Sequence, residues 1–235
     1  MTSILVLGTN NLKKRAELEK LLVDTEIQIK TLRDFENSIE VVEDGLTFAE
    51  NADKKASEQA IQLNQWVLAE DSGLIVDSLK DEPGVYSARY AALKKIQLEN
   101  GYATLADAAR LHPDIHSSDD DNNAMLLDVL KGKTGDQRRA HYCCFMALSN
   151  PKGEIVARTF GFCYGRILTE PHGENGFGYD PYFEVVEFHK TFGLLAPEVK
   201  SCISHRARAT RSMIPLLKRL GSRQEAVGSR DCAKR

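Results

Sequence analysis

The chain has 235 residues, of which 42% are hydrophobic and 28% are charged, and its formal net charge is −3. That length can bury a full hydrophobic core, and the composition is typical of a globular protein. The weak net charge argues against nucleic acid as a partner, and the lack of any apolar run near the ~20 residues of a membrane span argues against a membrane.

Residues 4–7 predict a short buried strand, and a polar turn and a helix that begins near Asn11 follow it. Such a turn points backbone N–H groups and the positive end of the helix dipole at a bound anion. Thr9 and Asn11 can add hydrogen bonds, and Lys13 or Lys14 can add a charge. Capping of the helix by Asn11 is the simpler interpretation of the turn taken alone.

The segment 46–56 follows an acidic stretch and predicts a second helix. Thr47 and Glu50 have the spacing of a capping box, which gives Glu50 a structural role. Lys55 comes four residues after Asn51, so the two side chains lie on the same face of the predicted helix. One face of this helix can therefore pack while another turns toward a site.

The stretch 66–73 is the most informative in the chain. Its apolar residues 66–69 predict a buried strand, and Glu70 and Asp71 follow at the carboxyl end of that strand, where open α/β sheets bind ligands. A second strand is predicted from Leu74. A simple turn between two strands is an equally good interpretation of this stretch by itself.

Residues 99–135 have the least regular pattern. Residues 117–123 predict a solvated loop, and residues 124–130 predict a helix. The acidic residues 119–121 lack the glycine and the distal glutamate of a calcium-binding loop, so we interpret them as part of the exposed loop.

Residues 140–148 and 153–167 predict two antiparallel strands joined by a short turn. Cys143 and Cys144 lie in the first of these strands and are predicted to be core thiols. The chain has five cysteines, an odd number, and no C-x-x-C spacing. This pattern indicates a reducing compartment and predicts a cytoplasmic protein.

Residues 171–181 form a loop with three glycines around Phe177 and Tyr179. Its backbone can approach a ligand closely, and its aromatic rings can face a flat base. A glycine-rich crossing between strands is an equally good interpretation.

Residues 200–211 place a basic, hydrogen-bonding group at the start of a helix, with Ser204, His205 and Arg206 preceded by Lys200. This group suits an anion or the edge of a purine. The pattern argues against a serine hydrolase, because adjacent Ser and His residues in one helical turn cannot form the nucleophile–base hydrogen bond and no G-x-S-x-G motif is present. Together, the carboxylates, cations and aromatic loop predict nucleotide phosphate chemistry with Mg²⁺.

Five blocks of sequence, in order along residues 4–220, resemble the inosine triphosphate pyrophosphatase family, the dITP/XTP pyrophosphatases. They are residues 9–14, 43–56, 70–74 with 83–90, 176–181 and 200–206. The resemblance implies Mg²⁺-dependent hydrolysis of non-canonical purine nucleoside triphosphates (ITP, dITP and XTP) to the monophosphate and pyrophosphate, which cleanses the nucleotide pool.

The resemblance also implies roles for individual residues. Asp71 would be the catalytic base, Glu43 and Asp71 would hold Mg²⁺, and Glu50 is a further candidate carboxylate. The residues implied in substrate binding are Thr9, Asn10, Asn11, Leu12, Lys13, Lys14, Lys55, Ser72, Phe177, Gly178, Tyr179, Asp180, Lys200, His205 and Arg206.

The implied fold is an elongated, two-lobed α/β domain with a long central mixed β-sheet flanked by helices and an active-site cleft between the lobes. Residues 1–220 would form this domain as a homodimer, and residues 221–235 a disordered tail. Four features depart from the family pattern: Leu194 in place of a glutamate, Asn10 in place of a glycine, a longer connection at residues 96–121, and an extra tail after Leu220. The longer connection and Leu194 bear on the dimer surface and the cleft edges, which need not follow the family.

Three alternatives stay open at this point. The chain could be a nucleoside triphosphate pyrophosphatase with another base specificity, including that of pyrimidine-directed relatives. It could be a catalytically silent nucleotide-binding protein, or a metal-dependent phosphomonoesterase that releases orthophosphate.

Overall fold

A computed structural model describes residues 4–25 and 27–232, with side chains as far as Arg219. Its strands are β1 (Ile4–Leu7), β2 (Gln28–Thr31), β3 (Trp66–Val76), β4 (Arg139–Ser149), β5 (Ile155–Ile167), β6 (Phe183–Val185) and β7 (Lys190–Thr191). Its α-helices are α1 (Leu12–Leu22), α2 (Phe48–Leu63), α3 (Tyr90–Asn100), α4 (Leu105–Leu111), α5 (Asp119–Val129), α6 (Pro197–Ile203) and α7 (His205–Cys232).

The seven strands form one mixed sheet in the order β2-β1-β3-β4-β5-β6-β7. Strand β1 pairs in parallel with β2 and β3, whereas β6 pairs antiparallel with β5 and β7. The predicted α/β class with a mixed sheet and helices is confirmed. Among the helices of the described residues, none has the length and apolar character needed to cross a membrane.

The chain divides into two compact units. The first comprises Met1–Asp71, Cys144–Gly161 and Arg206–Arg235, and the second comprises Ser72–Cys143 and Phe162–His205. Each unit has hydrophobic residues packed into a core of its own. The predicted core thiols are confirmed, since Cys143 in the second unit and Cys144 in the first are both fully buried.

Strand β3 runs without interruption through Glu70 and Asp71, so the predicted strand–turn–strand was wrong. Both carboxylates contact basic side chains in the folded protein, and these ion pairs let the strand carry two buried charges. The parallel pairing of β1 with β3 ends at Leu7 opposite Leu68. The two carboxylates thus begin two residues beyond the point where β1 ends, but they lie in the middle of β3 and not at its carboxyl end, where the sequence predicted them.

Helix α5 begins at Asp119, so the loop predicted for residues 117–123 was wrong. The Ser118 side chain accepts a hydrogen bond from the N–H of Asp121 and caps the helix. The negative charges of the three aspartates in the first turn interact favourably with the positive end of the helix dipole. The acidic run therefore stabilises the start of a helix and is not a loop.

Helix α7 contains Pro215 and extends to Cys232, past the point where the sequence predicts that order ends. Side chains beyond Arg219, and residues 233–235 entirely, lie outside the described residues. The disordered tail at residues 221–235 and the single-domain organisation of residues 1–220 stay predictions.

Candidate active site

The turn between β1 and α1 passes close to strand β3. The N–H of Gly8 donates to the carbonyl oxygen of Leu68 at 2.8 Å, and a Cβ on Gly8 would lie 2.9 Å from the Val67 Cγ1 atom. Only glycine allows this approach. The Asn11 side-chain oxygen accepts from the backbone N–H groups of Lys13 at 3.0 Å and Lys14 at 3.1 Å, so the predicted helix cap is confirmed.

This turn presents most of its predicted substrate-binding side chains to solvent. Asn10, Asn11, Leu12 and Lys13 are exposed, and Thr9 is partly buried with its hydroxyl oxygen accepting from the N–H of Asn11 at 3.2 Å. The N–H groups of Asn11, Lys13 and Lys14 are bonded within the turn, so it presents its exposed polar side chains to an anionic ligand.

Helix α2 and strand β3 bring together a carboxylate cluster, which we define as Glu43, Asn51, Lys55 and Asp71. The Lys55 ammonium lies 2.6 Å from Glu43 Oε2 and 3.1 Å from Asp71 Oδ1. Asn51 donates its amide to Asp71 Oδ2 at 3.2 Å and accepts from the N–H of Gly45 at 2.8 Å. The prediction that Asn51 and Lys55 share a helix face is confirmed, because both contact Asp71.

The two carboxylates of this cluster have opposite pKa shifts. Burial is the main cause that raises the pKa of Asp71 to about 6, with Glu43 and Glu70 adding to it against the opposing charges of Lys55 and Lys14. For Glu43, burial also favours the neutral form, but Lys55 outweighs it and lowers the pKa. Asp71 is therefore mostly ionised at neutral pH and yet basic enough to accept a proton.

The residues of the carboxylate cluster fit a magnesium ion. Mg²⁺ usually takes one or two protein carboxylates and completes its shell with substrate phosphates and water. Glu43 and Asp71 supply two carboxylates that share one ammonium group. Glu50 instead accepts from the N–H groups of Leu46 and Thr47, which confirms the capping box and gives its carboxylate a structural use. Among the side chains that the structure describes, no group of three His, Cys, Asp or Glu could hold a metal by itself.

Glu70 is fully buried and lies at the centre of a second cluster in the same unit, whose members Lys14 and Glu17 are partly exposed. Its Oε1 atom is 3.2 Å from Lys14 Nζ and 3.2 Å from Arg206 Nη2, and its Oε2 atom is 3.2 Å from the Cys144 sulfur. The Arg206 guanidinium also donates to Glu17. Burial favours the neutral acid, but Arg206, Lys14 and Lys55 outweigh it and hold the pKa of Glu70 well below its usual value.

In the second unit, the glycine loop of residues 171–181 folds around Asp180. Asp180 accepts from the N–H of Phe177 at 2.8 Å and from the Lys200 ammonium at 2.7 Å. That ammonium also lies 4.7 Å from the centre of the Phe177 ring, as a cation–π contact. Gly176 has φ of +80°, and a Cβ there would collide with Asp180 at 2.0 Å, so this turn requires glycine.

The remaining predicted residues of the second unit differ in exposure. Tyr179 is buried in the core and donates its hydroxyl to the carbonyl oxygen of Ser87 at 2.8 Å, so Phe177 is the more accessible aromatic ring of the loop. His205 is buried and stacks on Tyr142, with ring centres 4.7 Å apart and planes 12° apart. Ser72 is partly buried.

Several residues of these clusters were not assigned a role from the sequence. Two local signals could have identified Glu70 and Glu17. Glu70 adjoins Asp71, and Glu17 follows Lys14 by about one helical turn. No local pattern indicates Tyr142, whose contact with His205 joins segments far apart in the chain.

The chain is similar to proteins of known family. Residues 5–216 match the Ham1 family model. The chain is 48% identical to a dITP/XTP pyrophosphatase of Rhodopirellula baltica, over 92% of this chain and 93% of that protein. It is 42% identical to a dITP/XTP pyrophosphatase of Desulforamulus reducens, over 94% and 98%. The structure of a HAM1 protein from Coxiella burnetii superposes with a TM-score of 0.75 at 33% identity, over 93% of this chain and all of that one.

These matches cover both units and all five sequence blocks, and they confirm the resemblance to the dITP/XTP pyrophosphatases that the sequence indicated. This chain belongs to the Ham1 family.

Proposed function

We propose that this protein hydrolyses non-canonical purine nucleoside triphosphates (ITP, dITP and XTP) to the monophosphate and pyrophosphate, and so removes them from the nucleotide pool. The observation that carries the proposal is Asp71, a buried carboxylate with a raised pKa that is held by Lys55 and Asn51 beside Glu43. The relatives named dITP/XTP pyrophosphatase support the choice of substrate.

In the proposed reaction, Asp71 accepts a proton from water while the water oxygen attacks the α-phosphorus. The bond from that phosphorus to the oxygen bridging the α- and β-phosphates breaks, and pyrophosphate leaves. Lys14, Lys55 and the exposed polar side chains of the turn before α1 hold the phosphate oxygens in position for this attack. The Glu70 carboxylate is fully buried and pairs with the Lys14 ammonium, so it anchors Lys14 from the protein interior.

We propose Mg²⁺ as the metal, with Glu43 and Asp71 as its protein ligands. Bound there, Mg²⁺ would neutralise charge on the polyphosphate and polarise its oxygen atoms.

We assign the purine ring of the substrate to residues of the second unit. Arg206, which the resemblance also implies in substrate binding, is instead buried beside Glu70 in the first unit. The Lys200 ammonium carries N–H donors, which suit the O6 and O2 acceptors of hypoxanthine and xanthine. The exocyclic amino group of adenine would face these donors without an acceptor, and an unpaired buried donor lowers affinity. Phe177, which Lys200 fixes by its cation–π contact, offers a ring on which a flat base can stack.

The decisive test is to identify the products from ITP, dITP, XTP, UTP and ATP in the presence of Mg²⁺. We expect IMP and pyrophosphate from ITP, formed much faster than AMP from ATP. A preference for UTP would show another base specificity. Release of orthophosphate would show a phosphomonoesterase, and the absence of turnover with all five would show a silent nucleotide-binding protein; each of these outcomes contradicts the proposal.

Replacing Lys55 with methionine is expected to raise the affinity of the substrate-free protein for Mn²⁺ by about tenfold or more. The Lys55 ammonium lies within hydrogen-bond distance of Glu43 and Asp71, so it competes with a divalent cation for the same oxygen atoms. Electron paramagnetic resonance of free Mn²⁺ measures this affinity without turnover.

Lys54→Met is the matched control, because Lys54 is the preceding residue of α2 and pairs with Asp44 at 2.6 Å. Its Mn²⁺ affinity should stay within about twofold of the wild-type value, since a partly exposed ion pair has a small energy. An affinity that does not rise in Lys55→Met relative to Lys54→Met would contradict the shared site.

We also propose that the protein is cytoplasmic, as its cysteine pattern indicates, and a homodimer, as the resemblance implies. Light scattering of the purified protein during size-exclusion chromatography measures its mass. A mass near the 26.2 kDa of one chain would rule out the dimer.

A further inference from the structure

One helix holds both hydrogen-bonding groups of Gly178, a residue of the glycine loop. The N–H of Gly178 donates to Asp119 Oδ2 at 3.0 Å, and the Asn123 side-chain amide donates to the carbonyl oxygen of Gly178 at 3.0 Å. Asp119 and Asn123 are four residues apart in α5, so they project from the same face of the helix. The two bonds join segments that are separated by more than fifty residues.

These bonds fix the orientation of a residue that has no side chain to anchor it. Gly178 has φ of +62°, in the left-handed region that favours glycine, and an unconstrained glycine samples many conformations. Its neighbours are fixed separately, by the Phe177 N–H on Asp180 and the Tyr179 hydroxyl on Ser87. Three consecutive residues of the loop are thus each held by a different contact.

Helix α5 is itself anchored, so it can act as a rigid support. Asn122 accepts from the N–H of Ala91 at 2.9 Å and donates to the carbonyl oxygen of Ala88 at 3.1 Å, and Leu126 is buried in the core of the second unit. A loop that binds ligand is positioned best by side chains which are locked in this way.

We propose that Asp119 and Asn123 are positioning residues, which clamp Gly178 so that Phe177 and the loop backbone are preorganised for the base of the substrate. This inference rests on the proposed function, which assigns the loop to base binding. The acidic start of α5 lies at the end of the long connection of residues 96–121. The proposal gives it a role in the affinity for the nucleotide.

The kinetic signature of the clamp is a change in KM. Asp119→Ala is expected to raise KM for ITP about fivefold, the effect of losing one hydrogen bond, while kcat stays within about twofold because the residues of the chemical step are untouched. Asn123→Asp is expected to raise KM further, since it places a carboxylate against the Gly178 carbonyl oxygen. Asp119 is exposed, so its replacement tests the clamp even if the buried Asn123 variant folds poorly.

Two variants separate clamping from a general effect on the helix. Asp120→Ala removes the same charge from the same first turn, at a position that adjoins Asp119 but faces another direction, and it should leave KM unchanged. Asp119→Asn keeps an oxygen acceptor of the same size, and it should restore KM to within about twofold of the wild-type value. Equal effects of Asp119→Ala and Asp120→Ala would overturn the proposal.

Hydrogen–deuterium exchange tests the clamp without any substrate. Exchange at the Gly178 amide should be faster in Asp119→Ala than in the wild type and in Asp120→Ala. Unchanged exchange would overturn the clamp even if the enzyme is active. Faster exchange in a protein that hydrolyses no triphosphate would instead mean that the clamp exists and the proposed function has failed.

Discussion

Replacing Asp71 with asparagine is expected to lower kcat for ITP hydrolysis by about a thousandfold or more. Asparagine has the same size but cannot accept the proton from water, and it lacks the charge that a divalent cation requires. The effect on stability should be small or favourable. The pKa of Asp71 is raised in the folded protein, so its charged form is disfavoured by folding at neutral pH and a neutral amide relieves that cost.

Steady-state measurement of pyrophosphate release, together with the melting temperature, checks both parts of this expectation. Asp77→Asn is the matched control, because Asp77 directly follows β3 and more than half of its side chain is exposed. Substantial activity in Asp71→Asn, or an equal loss in Asp77→Asn, would mean that Asp71 is not the base.

Replacing Arg206 with methionine is expected to lower the free energy of unfolding by about 3 to 5 kcal/mol. The guanidinium is 1% exposed and pairs with Glu17 and Glu70, so its loss leaves buried carboxylate charge without its main partner. Urea unfolding of the variant measures the change. Arg211→Met, a control at an exposed position of the same helix, should change stability by less than about 1 kcal/mol.

The Arg206 effect should depend on pH in a defined direction. Because the folded-state pKa of Glu70 is depressed, this carboxylate stabilises the protein above its ordinary pKa, and that stabilisation is lost as the pH falls toward the depressed value. The difference between the wild type and Arg206→Met should therefore shrink in acid. A difference that is constant from pH 7 down to pH 3 would indicate lost packing rather than a lost ion pair. Adding Glu70→Gln to the variant should recover part of the stability at neutral pH.

Local features of the site could be predicted because they depend on neighbouring residues. The Asn11 cap, the capping box of Thr47 and Glu50, and the shared face of Asn51 and Lys55 all follow from spacings of four residues or fewer. Helix geometry alone determines these contacts, so they can be seen in a single sequence.

Features that depend on distant partners could not be predicted in the same way. The Asp-Ser-Gly stretch of residues 71–73 has turn chemistry. Only the folded chain shows that basic side chains compensate the carboxylates and let β3 continue through it. The pairing of Arg206 with Glu70 spans 136 residues. The hydrogen bond of Asp119 with Gly178 spans 59 residues, and nothing in the local pattern of either segment indicates it.

The contact of Cys144 with Glu70 means that the reactivity of this thiol reports on opening of the cluster around Glu70. Burial, reinforced by the negative charge of Glu70, raises the pKa of the Cys144 thiol well above its usual value, so in the folded protein this sulfur is neither accessible nor a thiolate. Cys202 is exposed, in contrast to the three buried cysteines of the described residues. Alkylating reagents should therefore label Cys202 in the native protein and reach Cys144 only when the strands around Glu70 separate. The labelling rate of Cys144 then measures how often this cluster opens, without any mutation of the protein.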